Sequence, residues 1–448
     1  MDKRLIHSYP LSRYLLDACL FIIFLTTSFD TALNLKISGF SIRICTLLMV
    51  VFSASVFFIS IAGYRTIKIR FLGWWSFLIW FIFLIVFLQN SILITRGIGY
   101  LVWLLIYLLF IISLTIYITD YAHFFKILRY YLFSFIAICF LGLVQFAAGL
   151  FDINLFLEYY FKSGIPRIHG FSYEPSYFST YLFVAWGFHF ILYFSDLNAI
   201  KKKLYNNFSL GLLSFLMLIS FSRMSIFFMF LLLLAKFVGI IYRSIVKLNI
   251  SLKNLTFSLL LFFIIFIITG IAAFNFNSFI SVFEGLPILS RYSHSAWMRI
   301  DDFEYTWDVF MKSPLWGYSL GGIAPAIAQL KGYTTITQEI VKNTEGMCIF
   351  MEVLAASGII GFVFFVGFMY QILFSGRRLR KLIQPQFNVR LSQSIKIHHL
   401  LIVALIFQLL LLCLNQNILR NYLWVHIALV NVSFFVVKNS LNPKQAVE

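Results

Sequence analysis

The chain has 448 residues, of which 61% are hydrophobic and 12% charged, with 55 phenylalanines and a mean hydropathy of +0.92. That balance excludes an ordinary water-soluble domain and points to a polytopic membrane protein, read as a single transmembrane domain over residues 1–448. The net charge of +18 does not indicate nucleic acid, because the basic residues fall in short connectors on alternate sides of the apolar runs.

The apolar runs are long enough to cross a hydrocarbon core of roughly 30 Å. They are continuous rather than alternating, so they are read as helices and not barrel strands. Lys3, Arg4 and Arg13 precede a first span over residues 15–31, with no small-residue cleavage site, so that span is retained and the N-terminus is cytoplasmic. It emerges near Asp30. The second span, 42–62, returns to Arg65, Lys68 and Arg70; the third, 71–88, and fourth, 98–118, lead back to Lys126 and Arg129. The fifth span, 131–150, opens into a smaller outer loop, 151–175, and the sixth, 177–194, returns to Lys201, Lys202 and Lys203. A tight outer turn at 220–223 joins the seventh span, 208–219, to the eighth, 224–241. The ninth, 255–273, enters the only long polar passage, residues 275–345; the tenth (349–374), eleventh (400–414) and twelfth (422–437) complete the set. The expectation is an all-α protein of about 12 transmembrane helices, both termini cytoplasmic, with a large periplasmic loop between helices 9 and 10.

Within that loop Ala296, Ile300, Phe303, Trp307 and Phe310 share one helix face, and Pro314 with Gly317 stops the helix. Such a helix would lie on the outer membrane surface, apolar side down, as a roof over a cavity between the spans. The five cysteines, Cys19, Cys45, Cys139, Cys348 and Cys413, lie in or beside apolar segments without paired spacing, so neither a disulfide framework nor a zinc site is indicated.

Four pieces in this order carry a family resemblance. They are the run from Arg167 through His169 and Glu174 to Ser176, Ser222 with Arg223, Arg299 with the segment from Lys312 to Gly317, and Asn343 followed by Gly358 and Gly361. Together with the topology they make the chain resemble the O-antigen polymerase and O-antigen ligase superfamily of bacterial inner-membrane glycan enzymes. The resemblance implies a metal-independent glycosyltransferase without cofactors, acting at the periplasmic face on undecaprenyl-diphosphate-linked oligosaccharide, with membrane lipids and a chain-length regulator protein as partners. Ligases of this superfamily carry a His-Asn pair where this chain has Met347 and Cys348, and the element from Phe171 to Pro175 is more similar to the polymerase branch. Ligation of finished polymer to lipid A core is the alternative; a lipid-linked oligosaccharide flippase is the alternative of another class, which the long loop argues against.

The candidate residues follow from that chemistry. Arginine suits a diphosphate because its planar fork stays charged and bonds two phosphate oxygens at once, and Arg167, Arg223, Arg291 and Arg299 all fall on the outer side. Each could instead be an interfacial anchor. Glu174, at the mouth of a span where desolvation would raise its pKa, is the first candidate for a catalytic base, and His169 is the reserve. A loop-ordering ion pair between Glu174 and Arg167 is the plainer alternative. Trp307, Trp316 and Tyr318 could stack on sugar faces, and Asn343 and Glu345 could orient the acceptor, although interface anchoring and helix capping explain these residues too. Asp301, Asp302 and Glu304 read better as a helix-start acid cluster than as metal ligands. His398 and His399 are expected at the inner interface.

Overall fold

The structure is a computed structural model that describes residues 10–37, 40–63, 69–153, 155, 166–247, 294–342, 344–381, 389–414 and 418–441. It is an all-α membrane protein: among the described residues six helices are long and apolar enough to cross a bilayer, and several shorter apolar helices accompany them. The expected ninth span and residues 275–293 lie outside the described residues.

The chain forms two units, residues 1–220 with 302–448, and residues 221–301. In the first, α1 (Pro10–Thr26) ends at a loop carrying Asp30, and a two-stranded antiparallel hairpin, β1 (Asn34–Ile37) and β2 (Phe40–Arg43), leads into α2 (Ile44–Ala62). The hairpin, which the apolar pattern does not predict, pairs Asn34 with Arg43 and so sets Arg43 close to the end of α1. Then come α3 (Trp74–Val86), α4 (Ile94–Tyr117), α5 (Tyr121–Leu150), α6 (Pro175–Tyr193), the short α7 (Asn198–Lys203) and α8 (Asn206–Ile219). The second unit contributes α9 (Arg223–Lys247) and the start of α10 (His294–Lys312). Beyond it lie α11 (Ile323–Leu330), α12 (Gln338–Lys342), α13 (Ile349–Leu373), α14 (Ser375–Lys381), α15 (Val389–Leu412) and α16 (Asn421–Leu441).

Several spans start earlier than hydropathy suggests. Helix α5 begins at Tyr121 rather than near residue 131, because Asp120 accepts the His123 backbone N–H at 2.9 Å and caps it. Lys126 and Arg129, good helix formers, then continue the helix beyond its apolar part.

Helix α16 is the centre of the first unit. It is apolar on every side and buried along most of its length, packed against α4 and α15, as expected of a helix with no polar face. Two of its polar residues tie it to its neighbours. Asn431 accepts from Leu72 N–H at 2.8 Å and donates to the Arg70 carbonyl at 3.0 Å and to Thr115 Oγ1 at 2.8 Å. His426 bridges the Tyr131 hydroxyl (2.9 Å) and the Leu401 carbonyl (2.8 Å).

A backbone interlock closes the end of the bundle near α13. Gly358 breaks that helix with φ 60°, ψ −175°, and Ile359 N–H donates to the Pro314 carbonyl at 2.8 Å. Tyr318 and Ser319 N–H groups donate in turn to the Ala355 and Ala356 carbonyls at 3.1 and 2.8 Å. The fit requires glycine on both sides: a Cβ on Gly358 would lie 2.2 Å from the Leu315 backbone, and one on Gly317 2.4 Å from that of Ala356. Two of the separated sequence motifs are thus one structural piece.

Candidate functional site

The site is built where α1, α2, α4 and α16 end on the same side of the bundle. Asp30 N–H and Thr31 N–H both donate to the Phe171 carbonyl, at 2.8 and 3.0 Å, and Ser172 Oγ donates to Ser28 O at 3.1 Å. These bonds stitch the loop before α6 onto the loop after α1. His169 belongs to that stitching. It is buried, its Nδ1 meets the Ser172 carbonyl at 2.8 Å, and Gln145 Oε1 accepts from the backbone N–H groups of His169 and Gly170 at 3.2 and 3.0 Å.

Upon this platform sits a buried cluster of charges. Asp30, 3% exposed, receives Arg43 Nη1 on one carboxylate oxygen at 3.1 Å and Arg420 Nη1 on the other at 3.2 Å. Arg420 also lies over the Tyr177 ring, 3.9 Å from its centroid, and Arg43 over Trp103 at 5.4 Å. Nearby, Arg96 pairs with Glu345 and donates to the Tyr100 hydroxyl at 2.7 Å. Glu352, in the first turn of α13, accepts Ile418 N–H at 2.9 Å and has no ion pair among the described residues. That bond, with Trp424 Nε1 donating to the Ile418 carbonyl at 2.7 Å, fixes the short segment that presents Arg420.

The electrostatics favour fixed positive charge. Burial acts to lower the Arg420 pKa, but Asp30 first, then Tyr177, Tyr422 and Glu345, raise it above the ordinary arginine value, so the guanidinium stays charged. Three guanidiniums nevertheless keep a donor in reserve: the buried Nε of Arg43, of Arg96 and of Arg420 have no hydrogen-bond partner, nor does Asn421 Nδ2. A buried donor left unmatched costs about 1–3 kcal/mol. Groups of this kind collect where an acceptor-rich ligand completes them.

Sequence reasoning missed these three arginines because Arg43 and Arg96 fall within or beside apolar runs and Arg420 within a short connector. A signal existed. In the topology expected from the sequence, all three fall where the charge pattern calls for few basic residues.

The expected site residues are distributed otherwise. Arg167 is half-buried in the stitched loop. Glu174 is exposed, not desolvated, because as the residue before α6 it points out of the loop and accepts from Ser176 Oγ at 3.0 Å. Glu345 does join the cluster, through Arg96. Arg223 and Arg299 belong to the second unit, and their side chains, together with the whole of Arg291 and Asn343, lie outside the described residues.

Among the described side chains of α10 the buried ones are Thr306, Val309 and Phe310, whereas Phe303 and Trp307, on the face expected to lie against the membrane, are 42% and 44% exposed. The reason is Thr306, whose hydroxyl accepts Met347 N–H at 3.2 Å and turns that side of the helix inward. Trp316 stacks on Phe87 with centroids 5.0 Å apart, and Tyr318 is engaged through its backbone in the interlock. Asp302 pairs with Lys331 at 3.0 Å, and among the described residues no three His, Cys, Asp or Glu side chains are grouped to hold a metal. His398, expected at an interface, is fully buried between Ser375 (2.9 Å) and Ser433 (2.6 Å). Neither a family model nor a curated protein matches the chain.

Proposed function

We propose that the chain is a glycan polymerase with twelve spans and cytoplasmic termini, joining undecaprenyl-diphosphate-linked repeat units into O-antigen or a related surface polysaccharide at the periplasmic face of the bacterial inner membrane. The single observation that carries this reading is the trio of buried guanidiniums with unmatched Nε donors set among three carboxylates. That is an anion site with acids beside it, which transfer from a diphosphate requires. The order of motifs described above supplies the sugar chemistry.

In this reading Arg43, Arg96 and Arg420 hold the donor diphosphate, and Arg167 reaches it from the stitched loop. An acceptor hydroxyl attacks the anomeric carbon; the bond from that carbon to the diphosphate oxygen breaks, its electron pair leaves with the diphosphate, and the hydroxyl proton passes to a carboxylate. Glu352, buried and not tied to an arginine, replaces the exposed Glu174 as the base. Glu345, held by Arg96, orients the acceptor.

The test is deletion in the native host, with surface glycans separated by size on a gel, and complementation by wild type, Arg420→Gln or Glu352→Gln. A polymerase leaves single repeat units on lipid A core after deletion, and neither variant restores the ladder. Polymer accumulating on undecaprenyl diphosphate would mean a ligase, repeat units held on the cytoplasmic leaflet a flippase, and a full ladder from both variants would remove the site assignment.

A further inference from the structure

At the opposite end of the bundle, remote from Asp30, α5, α6, α7 and α8 line a half-open cavity of about 470 Å³. Its lining is divided by depth. Arg129 and Lys203 stand at its rim, both exposed and neither with a carboxylate partner among the described residues. Lys126, the third cation of the lining, is committed to Asp17 at 2.7 Å. Farther along α5, Phe133 and Ile136 continue the stripe that starts at Arg129, with spacings of four and three residues, so they lie one and two turns deeper. Phe133 and, across the opening on α8, Phe208 are each 58% exposed, an apolar margin continuous with the membrane interior.

The wall supplies one more polar group. His189 of α6 lines the cavity, is 1% exposed, and meets Asn206 Oδ1 through Nδ1 at 2.8 Å, while its Nε2 has no hydrogen-bond partner. An Nδ1 that donates to an amide oxygen leaves Nε2 as a bare acceptor when the ring is neutral. The cavity therefore offers two cations without a carboxylate partner at its rim, Lys203 resting on the Phe125 ring, with one acceptor within and apolar walls between.

We propose that this cavity is a binding site for an anionic phospholipid with a hydroxyl-bearing head group, of the phosphatidylglycerol type. The phosphodiester sits between Arg129 and Lys203, a head-group hydroxyl donates to His189 Nε2, and the acyl chains leave over Phe133 and Phe208 into the bilayer. The volume agrees, since sites of roughly 300–1,000 Å³ take a small polar head with its first carbons. Two basic side chains in one intramembrane pocket are the usual recognition chemistry for such head groups. The site is independent of the glycan reading: none of its residues belongs to the Asp30 cluster.

The experiment is native mass spectrometry of the full chain in detergent with equimolar phosphatidylglycerol and phosphatidylcholine, for wild type, Arg129→Gln/Lys203→Gln and Ile136→Trp. Both substituted cations are exposed, so the double variant keeps the fold, which gel filtration and thermal unfolding check. Wild type is expected to retain phosphatidylglycerol about tenfold over phosphatidylcholine, and the double variant to lose that preference. Ile136→Trp, which keeps the charges and fills the cavity, should lose the bound lipid as well. Millimolar inorganic phosphate should displace no more than a small part of the adduct, because it lacks chains for the apolar margin. Equal retention of both lipids by wild type, an undiminished preference in the double variant, or complete displacement by phosphate would each overturn the proposal.

Discussion

Replacing Asp30 by Asn separates stability from binding in the charge cluster. One carboxylate there serves two arginines, at 3.1 and 3.2 Å. Removing one member of a buried ion pair costs about 3–5 kcal/mol, mostly because the other charge stays behind uncompensated. Arg420→Gln leaves Asp30 still paired with Arg43 and belongs near about 3 kcal/mol, whereas Asp30→Asn strands two guanidiniums and belongs near about 5 kcal/mol. Anion binding should move in opposite directions in the two variants. A carboxylate about 4 Å from a bound phosphate oxygen opposes it by about 4 kcal/mol at an effective dielectric of 20, so even a small surviving fraction of that repulsion means tenfold. Asp30→Asn should therefore melt lower than wild type yet bind pyrophosphate at least tenfold more tightly, while Arg420→Gln should bind it at least tenfold more weakly. Isothermal titration of purified protein at low salt, beside thermal unfolding of the same samples, reads both quantities. Weaker pyrophosphate binding by folded Asp30→Asn, or unchanged binding by Arg420→Gln, would refute the view that these arginines form an anion site.

Other perturbations test the frame around the cluster. Gly358→Ala forces a side chain into φ 60°, ψ −175° against the Leu315 backbone, and strain of about 1–3 kcal/mol plus the loss of interlock hydrogen bonds should lower the melting temperature well below that of Gly211→Ala, a helical glycine with open space around it. Equal melting of the two would show the interlock to be dispensable. Asn431→Leu should destabilise by about 2–4 kcal/mol, because it orphans the Leu72 N–H and the Arg70 carbonyl together, and faster proteolysis of the detergent-solubilised protein would register it. Arg96→Lys keeps the charge beside Glu345 but not the planar fork. It should leave the fold intact and lower polymer yield in complementation, and a full ladder would count against a bidentate contact.

Hydropathy made the helical membrane architecture legible, since it depends on runs of composition that need no partner. The hairpin at residues 34–43 was not legible, because its four-residue strands are too short for a two-residue alternation to stand out beside the apolar run that begins at Ile44. Among the site residues, Glu345 could be found from its position where a polar stretch ends. Arg43, Arg96 and Arg420 come from three different helix ends, and only the folded chain reveals that Asp30 joins two of them. Glu174 shows the reverse error: its place before a helix suggests desolvation, but the orientation of the loop exposes it. The interlock illustrates both sides, for Gly317 and Gly358 are visible as motif glycines while their mutual contact is not.

The central position of α16 has a consequence for biogenesis. The other described helices leave the ribosome before it, and yet Tyr107, Tyr131, Leu72 and His398 each direct a polar group to a partner in α16 or in the segment just ahead of it. Asp30 waits for Arg420 in the same way, across 390 positions of sequence. During synthesis the earlier helices must therefore stand in the membrane around a vacant axis with their polar groups unmet. Chaperoning by the insertion machinery, or lateral water, has to cover that interval, and a nascent chain halted before residue 418 would present to quality control a bundle complete in outline and hollow at its centre.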